Sequence, residues 1–206
     1  NASNPIFSLP LTGNYLAENS GSPYVQQYNL AVQQQIGAQM NIQVAYVGNT
    51  SRKLYLQRDA NTPTYIPGGS TAANVNARRP YLPGKFAAIY ETETAANASY
   101  NSLQATITRR FARGFSVLAN YPFSKSLDLL SDGPTGPASG SFPNYNNFAA
   151  DRAVSNFNTP HVLAVSWIWQ APSFQHWGWA GKQLIGGWQL NGVTTARSGQ
   201  PINVTS

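Results

Sequence analysis

The sequence contains no cysteine, which excludes disulfides and thiolate chemistry. Charged residues make up 10% of its 206 positions, far below the roughly 25% usual in soluble domains. Gly, Pro, Asn, Ser, Thr and Gln fill the gap. A chain that is polar without being charged favours β-structure with long loops, because helix surfaces are built largely from Glu, Lys and Arg. No run of ~18 apolar residues occurs, so no transmembrane helix is expected. A transmembrane β-barrel needs no such run.

Catalytic signatures are also missing. There is no HExxH, no GxSxG and no P-loop. The two histidines stand apart, His161 at the start of an apolar run and His176 between aromatics. Glu91 and Glu93 share a parity rather than facing each other across a cleft, as a glycosidase pair does. Asp128 and Asp132 frame "DLLSD", which is too sparse for a calcium loop. We therefore expect no enzyme, no metal and no cofactor. The net charge is +6, with basic clusters at Arg52 and Lys53, at Arg78 and Arg79, and at Arg109, Arg110 and Arg113. A nucleic-acid binder carries a denser stripe, so no nucleic-acid partner is expected. Clusters at strand ends suit anionic lipid headgroups equally well.

What is present is a period of two. In "YNSLQATITRRFARGFSVLANYPFSKSLD", residues 100–128, Leu103, Ala105, Ile107 and Phe111 alternate with Ser102, Gln104, Thr106 and Thr108. Beyond "ARG", Phe115, Val117, Ala119, Tyr121 and Phe123 alternate with Ser116, Asn120 and Ser124. Each half reads as a strand with one apolar and one polar face. "YVQQYNLAVQQQIG" and "MNIQVAYVG" repeat the pattern, placing Tyr28 and Tyr46 on the apolar parity and Gln27, Asn29, Gln33, Gln35, Asn41 and Gln43 on the other. "HVLAVSWIWQ" aligns Leu163, Val165, Trp167 and Trp169, and "WQLNGVTTARSGQP" sets Trp188 and Leu190 against Gln189 and Asn191.

These runs divide the chain into a loop over 1–23, a hairpin over 24–47, a long loop over 48–98 with a short strand expected at "FAAIYETE", a hairpin over 100–128, a second long loop over 129–158, and last strands over 159–206. The expected fold is all-β: an antiparallel meander of long amphipathic strands with long loops, forming one region that is a section of a transmembrane-type barrel and part of a larger chain. Short turns alternating with long loops are the rhythm of outer-membrane barrels, whereas long structureless loops are uncommon in compact soluble domains. Amides on the polar parity suit a crowded polar lumen. The aromatics Tyr28, Tyr46, Phe115, Tyr121, Phe123, Trp167, Trp169 and Trp188 suit a membrane interface or contacts between subunits. A sandwich core with the same aromatics is the competing reading. Tyr65, Tyr81, Phe142, Tyr145 and Phe148 in the loops are candidate contacts for a glycan or peptide.

The same strings resemble a known family. The hairpin 100–128, "FAADRAVSNFNTPHVLAVSWIWQAP", "GGWQLNGVTTARSGQPINVTS" and "SPYVQQYNLAVQQQIGAQMNIQVAYVGNTSRKLY" are together similar to barrel strands of TonB-dependent receptor-like proteins, especially the Oar-like group. The resemblance spans most of 22–206 and includes Asp151, Arg152, Phe157 and His161 before an apolar strand. It implies an outer-membrane barrel of a Gram-negative bacterium that binds or takes up a ligand. Pro122 departs from the Thr or Trp that the family more often has there. With about six strands where the smallest barrels need about eight, open edges leave two further readings. One is a self-assembling extracellular structural protein whose copies pair edge to edge into a filament or oligomer. The other is a soluble carbohydrate-binding β-sandwich. The expected partners are thus a lipid bilayer or identical subunits, at the outer membrane or cell surface.

Overall fold

The structure is a computed structural model that describes residues 8–131, 138–139, 147–172 and 187–202. Among these the strands are β1 (Leu11–Leu16), β2 (Tyr24–Ile36), β3 (Met40–Asp59), β4 (Phe86–Ala112), β5 (Phe115–Asp128), β6 (Ala138–Ser139), β7 (Ala153–Val154), β8 (Val162–Gln170) and β9 (Gln189–Arg197). Two 3-10 turns, Asn76–Arg78 and Phe148–Asp151, complete the described elements. The strands form a single sheet whose main path runs β2-β3-β4-β5-β8-β9. The fold is all-β with long strands, as the alternation requires. A sandwich needs two sheets packed face to face, so the described residues overturn that reading.

Chain contacts divide the protein into two compact units. The first comprises Asn1–Tyr24, Ser51–Asn97 and Asp128–Ala153, and the second Val25–Thr50, Ala98–Leu127 and Val154–Ser206. One region was expected over 1–206.

In the second unit the antiparallel ladders keep the parity of the sequence. Leu103 pairs with Phe123, Ala105 with Tyr121 and Ile107 with Ala119. Phe115 then pairs with Trp169 and Val117 with Trp167, and Trp169 with Leu190 and Trp167 with Gly192. Paired residues point to the same side of an antiparallel sheet, so one apolar face continues across four strands. The β4–β5 hairpin closes through Arg113 and Gly114, with φ of 51° and 76°. Two consecutive positive φ values define a type I′ turn, whose twist matches the flanking strands. Gly114 is required twice over, by its φ of 76° and because a Cβ there would lie 2.8 Å from the Gln170 carbonyl oxygen; Gln170 in turn donates its N–H to the Gly114 carbonyl at 2.8 Å.

The first unit corrects three of the expected boundaries. The segment 1–23 contains β1, which pairs in parallel with β4 from Leu11 opposite Phe86 to Leu16 opposite Thr92. The segment 48–98 is a loop only from 60 to 85, since β3 runs on to Asp59 and β4 begins at Phe86. The segment 129–158 holds the two-residue strands β6 and β7 and one 3-10 turn. For residues 86–97 the reason lies in burial. No residue from 86 to 97 is exposed, and a strand covered on both faces loses the alternation by which it is read. This unit holds the only buried cluster described: Leu56 and Ala96, with Leu54, Ala95, Leu129, Leu130 and Phe148 packed against them.

The loop 60–85 is held by its polar side chains. Asn61 is fully buried; its amide donates to the carbonyls of Ala87 at 2.8 Å and Tyr81 at 3.3 Å, and its Oδ1 accepts the Tyr81 N–H at 2.8 Å. Arg79 pairs with Asp59 at 2.6 Å. Arg78 donates to Asn74 Oδ1 at 2.8 Å and to the Thr64 carbonyl at 2.6 Å. Arg78 and Arg79 are thus committed to the loop itself, not to lipid headgroups as their clustering suggests.

Candidate functional site

Most of the large apolar side chains of the second unit lie on its outward side. Leu30 and Val32 on β2, Leu103 and Ile107 on β4, and Leu163 and Trp169 on β8 are all exposed. Among the described residues the only large apolar side chain that is fully buried is Leu56, in the first unit. A contiguous apolar surface of this kind marks a partner or a membrane.

Two aromatic groups bracket that surface. At the end remote from the tight turns, the Tyr28 and Tyr46 rings stack at 6.1 Å between centroids. The hydroxyls of both donate to Asn101 Oδ1, each at 2.8 Å. Beside them Phe123 stacks on His161 at 4.9 Å, and the Tyr121 hydroxyl lies 2.7 Å from His161 Nδ1. At the turn end Phe115, Trp169 and Leu190 line up across three strands, with Trp188 exposed nearby. The Arg109 guanidinium sits 5.4 Å from the Phe115 ring centroid.

Glycines make room for two of these rings. A Cβ on Gly48 would lie 2.5 Å from the Tyr28 ring, and one on Gly192 would lie 2.7 Å from the Trp167 ring. Each ring therefore covers a bare stretch of neighbouring strand, a packing that large side chains provide over glycine in sheets.

Charges bracket the same band. Along the outward parity of the β4–β5 hairpin no charged residue falls between Lys125, which pairs with Asn101, and Arg109, which pairs with Val117. From Lys125 to Val117 the strand rises about 27 Å at ~3.4 Å per residue. At the ~40° tilt of barrel strands that is about 20 Å along the membrane normal, near the ~25 Å apolar band of outer-membrane barrels. The strands β2, β8 and β9, of 13, 9 and 9 residues, meet the ~9–11 residues needed to cross.

The inward parity is polar and grooved. One groove of about 430 Å³ lies at the turn end and is lined by Gln33, Gln35, Gln39, Asn41, Thr108 and Arg110. A second, of about 480 Å³, is bordered by Ser116, Ser166, Asn191, Leu118, Ile168 and Val193, with Trp167 and Gly192 of the outward parity also in its lining. Leu118 and Val193 flank Ser166 in register, and Ile168 lies between Ser116 and Asn191. The inward face is therefore not wholly polar. The alternation of the sequence already sets Leu118 and Ile168 on the parity opposite Val117 and Trp167, and the register agrees.

The loop candidates belong to the first unit. Tyr65 and Tyr81 are exposed, and Tyr81 has its backbone fixed by Asn61. Phe148 packs against the Leu56 cluster and lines a groove of about 490 Å³ with Arg52, Asn97 and Arg152. Phe142 and Tyr145 lie outside the described residues. In the same unit Arg58 bridges two carboxylates, reaching Glu91 at 2.6 Å and Glu93 at 2.8 Å. The second contact lies off the N–H axis, so it is an ion pair without a hydrogen bond. Burial pushes the Glu93 carboxyl above its ordinary value, Arg58 pulls it back, and Glu91 adds to the rise. Sequence pattern had paired Glu91 with Glu93 by parity but had no means of finding Arg58 between them.

The two units differ in charge. All seven acidic residues of the chain fall in the first. The second carries Arg109, Arg110, Arg113, Lys125, Lys182 and Arg197 and no carboxylate side chain, so the whole net charge of +6 resides there.

The family model described as "Outer membrane beta barrel domain" matches residues 1–206. No curated protein and no solved structure matches the chain.

Proposed function

We propose, from the premise that the chain belongs to the outer membrane beta barrel domain family, that its second unit is a section of barrel wall that binds a ligand on the inward face. An outer-membrane location follows from the family. The observation that carries the ligand reading is the sorting of side chains by register: an uncharged apolar band outward, and an amide-lined groove inward at the turn end. Amides offer donors and acceptors without fixed charge, which suits hydroxyl-rich or peptide ligands. Within the first unit, taken by itself, the exposed Tyr65 and Tyr81 are separate aromatic surfaces for a glycan or peptide.

The finer reading is a receptor or transporter of the TonB-dependent, Oar-like type, without catalytic activity. It rests on the resemblance of the strings over 22–206. The test is binding and uptake of a panel of oligosaccharides and peptides by bacteria expressing the chain in its natural gene. Gln33→Leu with Arg110→Gln is expected to weaken binding of the ligand so found while surface levels stay unchanged. Unchanged binding in that variant sinks the inward-face reading.

A second reading has its own observation. β2 and β9 end the strand path, so each leaves one edge without a partner among the described strands. Unpaired edges are not tolerated in lipid, and they are completed either by further strands of one chain or by neighbouring copies. Electron microscopy of the purified chain separates these: filaments support the copies, and monodisperse detergent-bound particles remove them.

A further inference from the structure

We propose that Tyr28, Tyr46, Asn101 and Lys125 form a binding site for the phosphate of an outer-leaflet lipid headgroup. The proposal rests on the reading of the second unit as barrel wall.

Asn101 stands on the outward parity, directly before the uncharged run Leu103, Ala105 and Ile107. It stands where the uncharged outward run gives way to polar side chains, the level at which headgroups are met. Here three strands contribute to one cluster. Gly48 leaves the space in which the Tyr28 ring lies, Tyr46 stacks beside it, and both hydroxyls point at Asn101 Oδ1. With Oδ1 accepting twice, the carboxamide is fixed in one orientation. Its Nδ2, with two N–H donors, has no partner among the described residues.

Lys125 is the register partner of Asn101 on β5. Directly paired residues have Cβ atoms about 4.5–5.5 Å apart and share a face. Lys125 is exposed and makes no ion pair among the described residues. Nor can its own unit supply one, because that unit has no acidic side chain. An ammonium and an oriented amide on the same face thus await an anion from outside the unit.

Position identifies the source. The cluster lies in the aromatic group remote from the tight turns, at the end where the chain leaves the second unit at Thr50, Ala98 and Leu127. Tight turns of outer-membrane barrels are periplasmic and long connections extracellular, so this end meets the outer leaflet. On the outward face at that level, the anion is a lipid phosphate. Tyr28 and Tyr46 provide the ring-and-hydroxyl belt typical of that depth.

Native mass spectrometry of the detergent-solubilised chain tests this, with dioctanoyl phosphatidic acid as probe and dioctanoylglycerol and inorganic phosphate as controls. Lys125→Gln is expected to weaken retention of phosphatidic acid about five-fold, the scale of one cation at a charged membrane surface, and Asn101→Leu to weaken it in the same direction. Lys125→Arg is expected to restore it, and Arg197→Gln, on the inward parity, to leave it unchanged. Equal retention in all variants, or equal loss in Arg197→Gln, overturns the site. Competition by inorganic phosphate at the lipid's own concentration overturns the lipid source. Flotation of each variant with liposomes reports separately on the barrel-wall reading. A chain that floats but does not discriminate the probes loses the site alone.

Discussion

Leu56 and Leu30 belong to strands that are neighbours in the sheet, yet the first is wholly buried and the second 70% exposed. Around Leu56 the first unit resembles a water-soluble fold in miniature, with an apolar cluster inside and seven carboxylates, of which Asp59, Glu91 and Glu93 pair with arginines. Around Leu30 the second unit turns its oil outward and keeps only cations. Apolar area moves out of water in both cases; what differs is whether the chain itself or an outside phase receives it. The same residue type thus carries opposite structural meaning in the two units.

The largest test of this contrast is a matched pair of truncations. Leu56→Ala is expected to cost about 2–5 kcal/mol through lost burial and the void left behind. It should be read as faster amide hydrogen exchange in residues 51–59 and 86–97. Leu30→Ala is expected to leave exchange in the second unit close to wild type in detergent. Equal protection losses in both variants would erase the distinction between the units.

A second pair probes the outward band. Ala105→Arg, midway between the levels of Asn101 and Arg109, is expected to cost about 2–4 kcal/mol of folding into liposomes, the penalty for arginine at the bilayer midplane. Thr106→Arg, one residue on and of the inward parity, is expected to fold nearly as well as wild type. Urea titration of the liposome-embedded chain measures both, and a reversed order would mean that the apolar face does not meet lipid.

The smallest effect concerns Glu93. Its carboxyl is raised above the unfolded value by burial. Stability linked to a raised carboxyl is fully present below the unfolded value, ~4.3, and is lost as pH rises through the folded one. Acidification from neutral toward that range should therefore slow exchange slightly around Glu93, and Glu93→Gln should remove this increment. An unaltered pH slope in the variant would show that Glu93 is not its source.

How much of this was legible in the sequence depended on which unit carried it. The parity of 100–128 was plain because a half-solvated strand must alternate every second residue, and the ladders of Leu103, Phe123, Val117 and Trp167 follow it. Of residues 86–97 only a short strand at "FAAIYETE", 86–93, was legible inside the expected loop, because burial on both faces removes the alternation. Asn61, Arg78 and Arg79 escaped notice as loop anchors, since their partners at Ala87, Thr64 and Asp59 lie 26, 14 and 20 residues away. Among the candidate site residues, the pairing of Tyr28 with Tyr46 through Asn101 was invisible because its three strands come together only in the sheet. Phe148 looked like a loop aromatic and lies against the Leu56 cluster.

The contact between Gly114 and Gln170 has a consequence for error correction. β8 is joined to β5 through a long connection, and its register is held at both ends: Ser124 donates its N–H to the Pro160 carbonyl at 2.8 Å at one, and Gln170 donates to the Gly114 carbonyl at 2.8 Å at the other. A slip of one residue would turn Leu163, Val165, Trp167 and Trp169 inward and bring Leu118's polar-face neighbours out against lipid. The Gly114 carbonyl accepts one specific N–H, and the space beside it admits no Cβ against the Gln170 carbonyl. A glycine in a two-residue turn thereby acts as a checkpoint for which way two distant tryptophans face.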